Sequence, residues 1–131
     1  MPHAAGMILV RVETTGICKL TSHAELSHVD LQKALGGNLQ NIKLFCGCED
    51  DGQIVAYCDE DGKMKNLQGN IIAQAKLSVL FNKQCPPIAG PIVLCRSEGG
   101  KDFGLTADDL MLIEGIFEVS FDSLVNVLLL L

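Results

Sequence analysis

Tryptophan is absent from this chain, tyrosine occurs once and phenylalanine five times. Base-stacking platforms and aromatic-rich contact hot spots are therefore poorly supplied. Basic residues are also scarce. Ten Lys and Arg face sixteen Asp and Glu, and the net charge of −6 repels phosphate backbones and anionic lipid headgroups. The composition thus implies no nucleic-acid partner, and the charge is too modest for a protein that imitates DNA with spaced carboxylates. Long apolar runs are missing too. The longest, Val127 to Leu131, falls far short of the ~20 residues that span a bilayer, so no direct membrane insertion is expected. With only His3, His23 and His28 available, a Ser-His-carboxylate set has few possible bases, and none is recognisable locally.

What is present is the composition of an ordinary packed protein. The 131 residues are 48% hydrophobic and 20% charged, enough for one domain and too few for two. No repeat, low-complexity tract or linker divides them. The expected organisation is an N-terminal tail at 1–6, a single α+β domain over 7–121 and an apolar segment at 122–131 that docks. Six cysteines, at 18, 46, 48, 58, 85 and 95, would suit a disulfide framework in a secreted protein. The first twelve residues, however, lack the ordered basic, apolar and cleavage regions of a signal peptide, and most of the cysteines sit inside apolar runs. Reduced, largely structural thiols are expected, in the cytoplasm or in a larger intracellular or viral assembly.

Local signals mark out the elements. Met7 to Val12 reads as a strand that ends in a turn at Thr14-Thr15-Gly16, before the short apolar pair Ile17 and Cys18. Ser27 with Asp30 has capping-box spacing, Leu26 and Leu31 form a hydrophobic staple, and Gly36-Gly37 ends the helix after Leu35. Ile42 to Cys46 and Ile54 to Cys58 alternate on either side of Asp51-Gly52, which predicts a central hairpin. Asn70 can cap a helix from Ile71 to Phe81, with Ala73, Leu77, Leu80 and Phe81 on the face that covers the sheet. After Pro91, Ile92 to Cys95 reads as a strand and Ser97 to Gly104 as a loop. Thr106 and Asp109 then start a short helix, and Ile116 to Phe121 alternates like a strand. The expected class is α+β, a small mixed or antiparallel sheet covered by two to three short helices.

Four stretches carry a resemblance. They are Leu31-Gln32-Lys33-Ala34-Leu35-Gly36-Gly37, Asp59-Glu60-Asp61-Gly62-Lys63, Leu67-Gln68-Gly69-Asn70, and Ile88-Ala89-Gly90-Pro91-Ile92-Val93 with the later Leu105-Thr106. In order and spacing they resemble a family of small uncharacterised proteins, a domain of unknown function seen in bacteria, bacteriophages and large DNA viruses. The family tends to have an acidic residue before its Ile-x-Gly, where this chain has Cys85-Pro86-Pro87. The resemblance implies a mixed α and β fold and a cytosolic or virus-associated setting, and no reaction.

Each fragment of familiar chemistry is incomplete. His23-Ala24-Glu25 has the His-x-Glu form of a zinc deaminase, but no Pro-Cys-x-x-Cys follows to supply two thiolates. Cys46 and Cys48 with Cys58 and Cys85 could converge on zinc, or Cys46 and Cys48 could form a redox pair, although a spacing of two suits neither well. The acidic turns before Gly52 and Gly62 lack carboxylates at EF-hand positions, and read as ordinary hairpin turns. Gly99-Gly100-Lys101-Asp102 lacks the first glycine of a phosphate loop and has Asp102 where Ser or Thr would bind magnesium. Weaker anion binding near Lys101 stays open. No catalytic residue, cofactor or metal ligand is therefore assigned. The leading expectation is a non-catalytic domain that contacts another protein or a second copy, with Leu124, Val125, Val127 and Leu128 as candidate contact residues. The rival is a small-ligand binder or enzyme whose polar groups would be Lys63, Lys101 and Asp102, near the 99–104 loop and the 59–63 turn.

Overall fold

The computed structural model describes residues 7–23, 27–42 and 52–119. In chain order they form β1 (Met7–Val12), β2 (Cys18–His23), α1 (His28–Leu35), β3 (Leu39–Asn41), β4 (Gln53–Asp59), α2 (Ile71–Phe81), β5 (Ile92–Glu98), β6 (Lys101–Phe103) and α3 (Ala107–Phe117). The strands build one six-stranded sheet in the order β2-β1-β5-β4-β3, with β6 also paired to β5. Every pairing is antiparallel. The fold is α+β, as the element pattern predicts.

Register explains how the sheet is covered. Successive side chains on a strand point to opposite faces. Ile8, Val10 and Val12 of β1, with Ile54, Ala56, Ile92 and Leu94, pack against Ala73, Leu77 and Phe81 of α2 and Leu110, Ile113 and Phe117 of α3. Leu9, Val55, Val93 and Cys95 face the other way, onto Leu31 and Leu35 of α1. The central strands are thus buried on both faces. Ile92-Val93-Leu94-Cys95 is accordingly a continuous apolar run rather than an alternating one.

Helix ends follow their local signals. Ser27 accepts from Asp30 N–H while the Asp30 carboxylate accepts from Ser27 N–H, and Thr106 with Asp109 makes the same reciprocal pair. The Asn70 side chain accepts from Ala73 N–H at the start of α2. Gly36 closes α1 at φ +87, a left-handed conformation that costs glycine nothing. Arg11 donates from one nitrogen to the Ala34 and Leu35 carbonyls at that same end, where a cation complements the helix dipole.

Several expectations are corrected. The strand over Ile116 to Phe121 is not formed at its start, because α3 continues through Phe117 and ends at Glu118 with φ +57. Ile113 and Phe117, four apart, are both buried on one helical stripe, and that burial outweighs the alternation of Phe117 with Val119. Ser97 to Gly104 is a hairpin rather than an open loop. Gly99 and Gly100 have φ +55 and +81, the pair of positive values a two-residue turn of this hand requires, and β6 returns beside β5 with Glu98 opposite Lys101. Beyond Ile17, the chain continues as β2 along β1. The Asp59 to Lys63 segment is no hairpin turn, since it leads from β4 towards α2. Of the central hairpin, β3 begins early, at Leu39, and Ile42 N–H donates to the Ala56 carbonyl. Residues 43–51, and with them Cys46 and Cys48, lie outside the described residues, as do Leu26 and Glu25.

Candidate functional site

Two regions stand out, one polar and one apolar. The polar region lies where β4 ends. Asp59 is buried, at 7% exposure, and its carboxylate accepts from Lys65 Nζ at 2.7 Å and from Asp61 N–H at 2.9 Å. The Lys65 hydrogen bond holds this carboxyl below its ordinary range against the opposing effect of burial. Gly37 lies so close that a Cβ there would overlap the Asp59 carboxylate, so the second glycine of the pair is needed for contact. Asn70 is buried beside this region. It donates to the Gly90 carbonyl at 3.0 Å and to the Val12 carbonyl at 3.4 Å, while its N–H bonds Ile88 and Gly90 N–H bonds Gln68. Most of the stretches that carry the family resemblance therefore meet at one end of the sheet. Their polar groups are taken up in holding loops together.

A cleft of about 320 Å³ opens beside them, lined by Gln40, Ile42, Cys58, Lys63, Pro86 and Ile88 among others. Burial, with the nearby Asp59 charge second, pushes the Cys58 thiol up. Its sulfur lies 3.8 Å from Gln40 Oε1. A protonated thiol is a poor nucleophile and a poor metal ligand at neutral pH. Burial likewise pushes Cys18 and Cys85 up to about 11, and Cys95 well above its ordinary value. These four are free thiols, and no cluster of three metal-ligating side chains occurs among the described residues.

The three polar candidates are not brought into one pocket. Lys63 lines the cleft beyond the end of β4. Lys101 and Asp102 belong to β6, where Asp102 stands opposite Ser97, itself opposite Gln53 at the start of β4. The length of β4, about 20 Å at the usual rise, separates the two levels. Asp102 accepts from the Tyr57 hydroxyl at 2.9 Å, and burial first and this carboxylate second push the phenol well up. Arg96 pins α3 to the sheet through a two-oxygen contact with buried Asp109, at 2.9 and 3.1 Å. His23 closes β2 with its Nε2 3.0 Å from Thr21 Oγ1. Leu124, Val125, Val127 and Leu128 lie outside the described residues.

The apolar region was not anticipated. On α2, Ile71, Ile72, Ala75 and Val79 point away from the buried stripe of Ala73, Leu77 and Phe81, with Ile71 75% and Val79 66% exposed. On α3, which packs beside α2, Met111 and Leu112 are 60% and 50% exposed, opposite Leu110, Ile113 and Phe117. Both helices lie on the same side of the sheet, so their outer stripes share one direction. The signal was in the sequence. Ile71 to Phe81 has Lys76 as its single charged residue, so apolar side chains occur all round the helix rather than on one face.

These features define a three-layer α+β domain with a structurally committed polar end and an exposed apolar helical face. A family profile described as "Domain of unknown function (DUF3846)" matches residues 7–118, and the chain belongs to that family. Neither the curated proteins nor the solved structures hold a significant match to it. No helix among the described residues is long and apolar enough to cross a membrane.

Proposed function

We propose that the chain is a non-catalytic protein-contact or accessory module, and that its contact surface is the outer face of α2 and α3. The observation that carries this is the set Ile71, Ile72, Val79, Met111 and Leu112, large apolar side chains exposed on two adjacent helices. Contiguous exposed apolar surface of this kind marks contact sites on soluble proteins. The engagement of Asp59, Asn70, Asp102 and Asp109 in structural hydrogen bonds supports a non-catalytic role. The four free thiols support a reducing setting, cytoplasmic or within a larger intracellular or viral assembly. The test recovers the tagged full chain from its own source after mild cross-linking, beside a Val79→Asp, Met111→Asp variant shown by circular dichroism to keep its fold. One protein at constant ratio, bound by the parent and lost from the variant, is expected. An identical set of recovered proteins for both chains would refute the reading.

The cleft beside the 59–63 turn favours a second reading, a small-ligand site with Lys63 as its cation. At about 320 Å³ it is at the lower end of the range for small-molecule pockets. A metabolite at 100 times its Kd would add ~2.7 kcal/mol of stability, so a thermal-shift panel on the parent and on Lys63→Ala decides it. A shift that survives Lys63→Ala removes Lys63 from the site, and no shift with any compound removes the reading.

A further inference from the structure

We infer that the partner of the α2/α3 face is a second copy of this chain, the two copies joined about a two-fold axis with α2 of each lying on α3 of the other. This rests on the contact face proposed above and names its partner. The two helices differ in the sign of their charges. α2 contains one charged residue, Lys76, and Lys83 follows just past its end, whereas α3 carries Asp108, Asp109, Glu114 and, at its cap, Glu118, with no basic residue. Asp109 is committed to Arg96, and Asp108, Glu118 and Lys83 are exposed. A face that is basic on one side and acidic on the other complements itself when α2 meets α3, as an isologous pairing requires. Laid α2 on α2, it would set lysine against lysine and carboxylate against carboxylate.

Within one chain the two helices run side by side in opposite senses. α2 begins at Asn70, whose amide donates to the Val12 carbonyl at the end of β1, and α3 begins after Leu105, whose N–H donates to the Ile8 carbonyl near the start of that strand. Lys76 Nζ lies 3.5 Å from Glu118 Oε2, so the end of α3 stands beside the middle of α2. Counted from that contact at ~1.5 Å per residue along each helix, Val79 falls near the level of Gly115, and Lys83 within about a turn of Asp108. A two-fold axis parallel to the helices keeps these levels while it exchanges α2 and α3. Every neighbouring pair among the four helices is then antiparallel, as in an up-and-down bundle.

Shape agrees with charge. Gly115 is exposed on the outer stripe of α3, one turn from Met111 and Leu112, and no atom of the described residues lies within 4 Å of the place its Cβ would take. Glycine inside a helix gives up propensity that alanine would keep, and the neighbours described within this chain do not require it. The notch it leaves accepts Val79 of the second copy, a side chain 66% exposed in the single chain, with Met111 and Leu112 on its flank. Two helices about 16 Å long and about 10 Å across give a footprint well below the ~800 Å² per partner of a standard interface, so dissociation in the micromolar range is expected.

The experiment is sedimentation equilibrium of the purified full chain from low micromolar to several hundred micromolar concentration, where a monomer–dimer equilibrium is expected. Lys83→Glu and Asp108→Lys, each shown by circular dichroism to keep the fold, should weaken the dimer about fivefold or more, since every contact occurs twice about the axis. An equimolar mixture of these two variants should regain the parent affinity, because both α2–α3 contacts of the mixed dimer then join opposite charges. No contact within one chain can give that rescue. Gly115→Leu should abolish the dimer while leaving the urea midpoint of the chain unchanged or higher, which separates a filled notch from a damaged fold. A monomer at every concentration, a dimer indifferent to these substitutions, or a mixture without rescue would overturn the inference. A monomeric parent leaves the protein-contact reading to its own recovery test, which a different protein would satisfy.

Discussion

The end of β4 and the outer face of α2 and α3 are opposites. At the first, carboxylates, a lysine, asparagines and close-approaching glycines crowd together, and most of the family-resembling stretches meet there. Such a cluster invites a chemical reading, yet Asp59 is held by Lys65 and Asp61, and Asn70 by two carbonyls and a helix start. The second region presents chiefly apolar side chains, Ile71, Ile72, Val79, Met111 and Leu112. There, Ile71 and Val79 face outward, 75% and 66% exposed. In this molecule polar residues mark the joints of the fold, and apolar ones are left exposed on the outer sides of two helices. A family signature can thus report how a chain closes on itself rather than what it acts on.

The sharpest break of that comparison is within α2 itself. Leu77 is fully buried among sheet and helix side chains. Leu77→Ala is expected to cost ~2–5 kcal/mol in urea unfolding, as removal of a large core side chain does. Asn70→Ala should follow at ~2–4 kcal/mol, because the α2 cap is lost and the buried carbonyls of Val12 and Gly90 lose a donor. A loss below ~1 kcal/mol would mean that the polar end is not the joint described here.

Asp59 gives the same region a pH signature. Its folded carboxyl titrates below the ordinary value, so the folded state binds fewer protons than the unfolded chain as acidity rises. The contribution is therefore complete above the unfolded value of about 3.9 and is lost as pH falls through the folded one. Urea midpoints at pH 6 and pH 3 should fall more for the parent than for Asp59→Asn. Equal falls would show that the Lys65 pair adds nothing to stability.

Much of this was legible in local sequence, for a physical reason. Capping boxes at Ser27 and Thr106, the cap at Asn70 and the stop at Gly36 act over three or four residues, and the chain obeys them. β2 was legible too but went unread, since Cys18 and Leu20 alternate inward against Lys19 and Thr21. Pairing was not. β1 meets β5 through Val10 and Leu94, residues far apart in sequence that share no local signal. The same holds for the candidate site. Lys63 and Lys101 each follow an acidic or glycine-rich turn, and only the register of β4, β5 and β6 shows that a strand length parts them.

The smallest expected effect concerns the apolar face alone. Val79 is two residues from Leu77, on the opposite side of α2. Were it bathed in water in every molecule, Val79→Ala would be neutral or slightly stabilising, because alanine is the better helix former by a few tenths of a kcal/mol. Covered by a bound partner, valine gains apolar burial that alanine lacks, worth ~0.5–1 kcal/mol. The two cases separate when unfolding of the purified chain is set beside binding of a partner recovered with it. The loss of binding should be ~0.5–1 kcal/mol for Val79→Ala, and within ~0.3–0.5 kcal/mol of zero for folded Leu77→Ala, whose contacts are in the core. Urea unfolding of each chain, and titration of each folded chain with that partner, measure the two effects. Equal loss of binding at the two positions would mean that the partner does not distinguish the two sides of the helix, and the distinction between a buried and a contact face of α2 would fall.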